Sequence, residues 1–315
     1  MKNKEKNFVS AVVYIRNNEK TIRDFLENVN VLLSENFEKY EIICVNDASE
    51  DNSVAEVKEA AARMDKVSVS IVNMSFYHGI ESAMLAGLDT AIGDFVYEFD
   101  NAYIDFDLTM VMKVYYKSLE GYDIVSAAAQ ERQKISSELF YSVFNKYTNY
   151  QYELRTESFR VLSRRAINRA SSLNKTMPYR KAIYANCGLK YTTLEYPKVL
   201  QTENTGKRMD KREKARRRNL AVDSLILFTD VASRFSTAMT IAMMLVTVLM
   251  AAYTVFIFLT GSPVEGWTTT VAFLSLAFFG LFAILTVIIK YLSILVNLVF
   301  KRQKYMFESI EKLTK

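Results

Sequence analysis

Two stretches of this chain carry no charged residue at all: "STAMTIAMMLVTVLMAAYTVFIFLT" (236–260, 25 residues) and "TTTVAFLSLAFFGLFAILTVII" (268–289, 22 residues). About 20 consecutive apolar residues suffice to cross the hydrocarbon core of a bilayer. A soluble helix of this length keeps a polar face, so both stretches read as membrane spans. Only "GSPVEGW" separates them, with Pro263 in the turn and Trp267 at its end, which predicts a two-helix transmembrane hairpin. Residues 204–219, "NTGKRMDKREKARRRN", hold eight Lys/Arg against two acidic residues, and Lys290, Lys301, Arg302 and Lys304 follow the second stretch. The turn has no Lys or Arg. The positive-inside rule then places both termini in the cytoplasm, as in an integral protein of the inner (cytoplasmic) membrane. A basic collar at this place suits anionic lipid head groups, at about 1 kcal/mol per basic residue near the surface. Its position directly before a span argues against nucleic acid as a partner. "NLAVDSLILFTDVASRF" (219–235), with Leu220, Leu225, Leu227, Phe228, Val231 and Phe235 among polar residues, suits a helix lying in the interface.

Residues 1–200 have a different texture. Strand-like runs "FVSAVVYI", "YEIICVN", "VSVSIV" and "GDFVYEF" alternate with helix-spaced segments beginning at Glu19, Asp51 and Gly79. A β-α-β-α-β-α-β order predicts a mostly parallel α/β sheet with helices on both faces. Ligands of such sheets sit outside the carboxyl ends of the strands. Those ends read "RNNE", "NDASED", "NMSFYHG" and "DNAYID", and three of the four are rich in Asn and Asp. The nine glycines form neither G-x-G-x-x-G nor G-x-x-x-x-G-K-[ST], so a bound nucleotide needs side-chain hydrogen bonds and a cation. Two cysteines, Cys44 and Cys187, make no disulfide framework and no zinc spacing. The amino end "MKNKEKNF" has no apolar signal core. The expected organisation is a catalytic-type domain over 1–200, a basic juxtamembrane segment over 201–235, the hairpin over 236–300 and a cytoplasmic tail over 301–315.

The order of motifs carries a family resemblance. "SAVVYIRNNEKTI" is similar to S-V-V-I-P-V-Y-N-E-E-x-x-I, and "YEIICVNDASEDNS" to E-I-I-x-V-D-D-G-S-x-D-x-T. "HGIESAMLAGLDTAIGDFVYEFD" is similar to F-G-x-x-A-A-L-x-A-G-L-x-x-A-x-G-D-x-V-x-x-x-D, and "FRVLSRRAI" to F-R-L-[ML]-S-R-R. "YLSILVNLVFKRQKY" (291–305) keeps the spacing of E-Y-L-G-R-I-Y-x-E-x-K-x-R-P-x-Y. Together these resemble family-two glycosyltransferases of the GT-A fold, and more narrowly the bacterial polyprenyl-phosphate glycosyltransferases related to dolichol-phosphate mannose synthase. The resemblance implies transfer of a sugar from a nucleotide-sugar to a membrane-held polyprenyl phosphate, for cell-envelope polysaccharide. It implies donor contacts at Ile15, Asn17, Asn46, Asp47 and Gly79, a metal and catalytic role for Asp100, a catalytic, phosphate-handling role for Arg132, and acceptor-phosphate roles for Arg160 and Arg164. It implies Mg²⁺ or Mn²⁺ as cofactor, and a homo-oligomer or a related transferase as partner.

Several positions depart from the family pattern. In D-x-D-x-Q, Asp100 supplies the first carboxylate, but Ala102 and Ile104 stand where the second carboxylate and the Gln belong, and neither side chain can bind a metal. Asn46 replaces an Asp, Tyr14 a Pro, Asn18 a Glu, Ala129 an Arg, Ser158 an acidic residue and Lys290 a Glu. These losses fall on ligands, while the positions that build the fold are intact. An abandoned site, in a non-catalytic homologue that partners an active enzyme, is therefore the alternative reading. Asp105 is a substitute metal ligand by position, and Asp107 is placed to cap the helix that follows. His78, the single histidine, reads as a structural polar residue of its loop.

Overall fold

The computed structural model describes residues 3–130, 135–146, 152–173, 179–198, 211–228, scattered positions over 234–249, 266–300 and 305–314. The basic residues at 204–210, most of the first apolar stretch, Lys301, Arg302, Lys304 and Arg132 lie outside the described residues. The chain divides into two compact units. One comprises residues 1–145, 149–220 and 303–315, and the other 146–148 and 221–302.

The first unit is built on one eight-stranded sheet. Its strands are β1 (Val9–Ile15), β2 (Tyr40–Asn46), β3 (Ser68–Met74), β4 (Phe95–Phe99), β5 (Ile124–Ala129), β6 (Phe159–Ser163), β7 (Tyr191–Tyr196) and β8 (Phe307–Lys312). They lie in the order β7-β5-β6-β4-β1-β2-β3-β8. β3, β2, β1 and β4 run parallel, as do β5 and β7, while β6 and β8 are antiparallel to their neighbours. All seven residues of β1 and of β2 are buried, as strands covered on both faces must be. The period-2 alternation of β1 feeds two cores. Val9, Ala11, Val13 and Ile15 join Phe25, Leu26 and Val29 of α1 (Ile22–Asn36), Val57 of α2 (Ser53–Ala62) and Val111 and Val114 of α4 (Thr109–Leu119). Val12 and Tyr14 join Ala83 and Met84 of α3 (Ile80–Thr90), followed by α5 (Ile135–Lys146) in the chain; Ala166 and Ile167 of α6 (Arg164–Leu173) and Ile183 and Tyr184 of α7 (Arg180–Asn186) complete that layer. The expected α/β layering, with helices on both faces, is therefore present.

α3 approaches the sheet closely because Gly87 has no side chain. A Cβ there would come within 2.4 Å of a Val12 methyl and 2.7 Å of a Val45 methyl. The tail, which the sequence reading left as a separate segment, is the eighth strand and covers the free edge of β3. Alternating charged and apolar residues in "FESIEK" suit an edge strand with one face in water.

The collar and the interfacial segment, read separately in the sequence, share one helix, α8 (Lys211–Phe228). In the second unit, α9 (Trp267–Phe300) has 34 residues. Counted over the described residues alone, no helix is long and apolar enough to cross a membrane. Lys290 is 2.7 Å from Asp223, and Gly280 lies against Met243 so closely that a Cβ would be 2.7 Å from its Cγ.

Candidate active site at the carboxyl ends of the strands

The strand order reverses at β1: β2 and β3 extend to one side and β4 returns on the other. This is the switch point where α/β sheets bind ligands. Asp47, just beyond β2, ties the loops there together. It is fully buried. Its carboxylate accepts the backbone N–H groups of His78 (2.7 Å) and Gly79 (2.8 Å) and the Tyr14 hydroxyl (3.0 Å). The Tyr14 replacement of Pro thus supplies a bond that Pro cannot make. Gly79 has φ 84°, a conformation glycine adopts without a Cβ penalty, and this turns its N–H toward Asp47 at the start of α3.

The β1–α1 and β2–α2 loops are stitched to each other. Asn17, at φ 51°, accepts the Glu50 N–H (2.8 Å) and donates its own N–H to Ser49 Oγ (3.1 Å). The Asn18 N–H goes to Ser53 Oγ (2.6 Å), and the Glu19 N–H to Asp51 (3.0 Å). Arg16 is buried. It donates to the carbonyls of Asp47 (2.8 Å) and Ala48 (2.6 Å), and its guanidinium lies 4.3 Å from the Tyr77 ring centre. Asn46 accepts the Ser49 N–H (3.0 Å) and donates to Asn73 (3.0 Å). Asn73 in turn donates to Ser309 and Glu311 of β8, each at 3.1 Å. His78 bridges the Phe76 carbonyl at Nδ1 (2.6 Å) and accepts the Met306 N–H at Nε2 (3.1 Å). Its ring is therefore a structural link of its loop, as read from the sequence.

Asp100 ends β4 inside a buried ionic lattice. Arg160 donates to Asp100 Oδ2 (2.8 Å) and to Glu98 Oε2; Arg180 donates to Asp100 Oδ1 (2.9 Å) and to Glu98 Oε1. Each oxygen of the two carboxylates thus meets one guanidinium nitrogen. The Nε groups extend the lattice, Arg160 to Glu157 (3.0 Å) and Arg180 to Glu81 (3.1 Å). The Tyr184 hydroxyl adds a bond to Glu98 (2.9 Å) and the Tyr191 hydroxyl one to Glu157. The side chains of Arg160, Arg180 and Glu98 are 0–2% exposed, and that of Asp100 is 11% exposed. Burial by itself pushes the Asp100 carboxyl up, but the charges of Arg160, Arg180 and Lys181 outweigh it and hold the group far below the ordinary carboxylate range. The antiparallel register explains the convergence: β6 places Arg160 opposite Glu98, and α7 brings Arg180 from the same side of the sheet.

These positions correct several expectations. Arg160 is at the site, but its guanidinium is wholly buried and paired with three carboxylates, so an acceptor phosphate does not reach it at the surface. Arg164 stands at the other end of β4, where it donates to the carbonyls of Ala91 (3.0 Å) and Gly93 (3.0 Å); it pins a turn. Ile15 contributes its carbonyl to the Asp47 N–H (2.9 Å) and its side chain to the core. Asp105 accepts the Tyr196 hydroxyl (3.0 Å) and belongs to that contact. Asp107 accepts the Thr109 N–H (2.8 Å) at the start of α4, the capping role read from its position. The acidic residue missed at Ser158 is present one place earlier, as Glu157. Sequence reading did not find Glu98, Glu157, Arg180 or Arg16. A signal existed for the first: a Glu inside an otherwise apolar strand must find a cationic partner.

A divalent cation does not fit this arrangement. Mg²⁺ requires near-octahedral oxygen ligation. Asp100 has an arginine on each oxygen, and the positions of its expected co-ligands are apolar and turned inward. Ala102 is fully buried in the core, and Ile104 packs against it. Among the described residues no group of three acidic, His or Cys side chains is set to hold a metal ion.

Residues 10–172 match glycosyl transferase family 2, and the chain belongs to that family. It is 28% identical over 190 residues to an uncharacterized glycosyltransferase of Synechocystis, covering 58% of this chain and 59% of the relative. It is 30% identical over 147 residues to the undecaprenyl-phosphate 4-deoxy-4-formamido-L-arabinose transferase of Proteus mirabilis, covering 45% and 44%. The chain thus spans about three fifths or less of the length of these relatives. Among solved structures it is similar to mannosyl-3-phosphoglycerate synthase from Rubrobacter xylanophilus, with TM-score 0.47 and 18% identity over 70% of this chain and 74% of the other.

Proposed function

We propose that the chain is a membrane-anchored glycosyltransferase that moves a sugar from a nucleotide-sugar to a polyprenyl phosphate at the cytoplasmic face. The observation that carries this reading is the convergence of Asn17, Asp47, Gly79 and Asp100 on the switch point, inside the segment matched to the family. Acceptor chemistry comes from relatives, one of which is named for undecaprenyl phosphate. Such an acceptor is already an anion, so positioning it matters more than deprotonating it.

Membrane anchoring is supported by the two charge-free stretches, by the length of α9 and by the close packing of Gly280 on Met243. Small residues allow helices to approach closely in lipid. The basic residues of 204–219 would draw the surface of an anionic leaflet.

A second reading, a non-catalytic homologue that partners an active transferase, has one specific observation in its favour. Asp100 is committed to two arginines, one on each of its oxygens. The test is transfer from a panel of radiolabelled nucleotide-sugars into solvent-extractable lipid, using membranes containing the full chain and added polyprenyl phosphate. The enzyme reading predicts labelled lipid that disappears in the Asp47→Ala variant. No labelled lipid with any donor, from a protein that remains folded, contradicts it and leaves the second reading.

A further inference from the structure

The lattice around Asp100 has a feature that the family match does not supply. Two guanidinium groups carry the same charge as one divalent cation, and they take up every oxygen of Glu98 and Asp100. They come from β6 and α7, are almost wholly buried, and are each fixed a third time through Nε. Planar guanidinium forks of this kind are fully charged and geometrically matched to carboxylates. A metal ion reaching Asp100 would have to displace one of them, breaking one of the three buried ion pairs that each arginine makes. Among the described residues no set of acidic, His or Cys side chains stands ready to hold it with Asp100, and the segment after Asp100 is packed into the core through Ala102 and Phe106.

We propose that the Arg160–Arg180 pair permanently occupies the place of the divalent cation, so that this site handles a nucleoside diphosphate without Mg²⁺ or Mn²⁺. The inference deepens the transferase reading and rests on it for the nature of the ligand, but the state of the metal position is a property of the protein itself. Restoring a carboxylate at 102 does not restore a metal site, because that side chain faces the core.

The test is electron paramagnetic resonance of Mn²⁺ titrated into the detergent-solubilised full chain, alone and with uridine or guanosine diphosphate as probe. Nucleotide affinity is measured in parallel by calorimetry, in EDTA and in Mn²⁺. The expected result is a free-ion signal no weaker with wild-type protein than with Asp100→Asn. Nucleotide affinity should agree within about twofold with and without the metal, well short of the tenfold step that 1.4 kcal/mol represents. The Ala102→Asp variant is expected to gain no Mn²⁺ binding and to unfold at a lower temperature. Saturable Mn²⁺ binding by the wild type, lost in Asp100→Asn, overturns the proposal, as does Mn²⁺ binding gained by Ala102→Asp. If Asp100→Asn does not fold, the wild-type titration decides alone. If no nucleotide binds in any condition, the transferase reading fails, while the Mn²⁺ signal still decides the proposal.

Discussion

At the scale of single residues, the site is held by pairing. Removing one partner of a buried ion pair leaves the other charge unsatisfied and costs about 3–5 kcal/mol. Arg180→Met, which keeps volume and removes charge, is expected to destabilise the protein by about that amount, read from the midpoint of chemical unfolding. No loss of stability would mean that Glu98 and Asp100 are not paired as described. Asp100 also sets a pH dependence. Its folded-state value is depressed, so its contribution is fully present above the ordinary carboxylate value of about 4. That contribution is lost as pH falls toward the much lower folded value. Wild type and Asp100→Asn are therefore expected to differ in stability at neutral pH and to converge as the solution is acidified below about pH 4. A difference that stays constant with pH would contradict the ionised pairing. Asp100 was legible in the sequence because it ends an apolar run at a strand-to-loop junction. Arg180 was not, because nothing local marks it: its partners lie 80 or more residues away and only the fold brings them together.

The elements themselves were largely written in local pattern. "YEIICVN" is β2 from end to end, since a β-branched run with Asn at its close has no better fit than a buried parallel strand. In α3, Gly87 provides the close approach to Val12 and Val45. Gly87→Val, which forces two methyl groups against Val12 and Val45, is expected to cost about 1–3 kcal/mol and to lower the melting temperature in calorimetry. β8 escaped because an alternating six-residue segment at a chain end gives no indication of which edge it joins. Its links to Asn73, His78 and Val69 predict that truncation before Tyr305 raises hydrogen exchange across β3 and the 75–79 loop. Exchange rates unchanged in β3 would mean that the strand is dispensable to that edge.

For the whole molecule, the proposed two-span hairpin follows a sheet-based unit, and its topology is open to a labelling test. Cys44 and Cys187 are buried, and burial pushes the Cys44 thiol up to about 12, so native thiols give little background to a labelling assay. Cysteine introduced as Val264→Cys is expected to react with a membrane-impermeant maleimide in intact cells, and Asn3→Cys only after lysis. Labelling of both positions, or of neither, in intact cells would contradict the two-span arrangement. The two-span proposal rests on the composition of the apolar stretches alone, whereas the state of the metal position depended on contacts between distant segments. The most direct measurement of the central claim is anomalous scattering at the manganese edge, from crystals of the full chain grown with Mn²⁺ and a nucleoside diphosphate. The account predicts no anomalous peak at coordination distance from Asp100, with Arg160 and Arg180 still on its two oxygens. A peak bound to Asp100, with either arginine displaced, would contradict it.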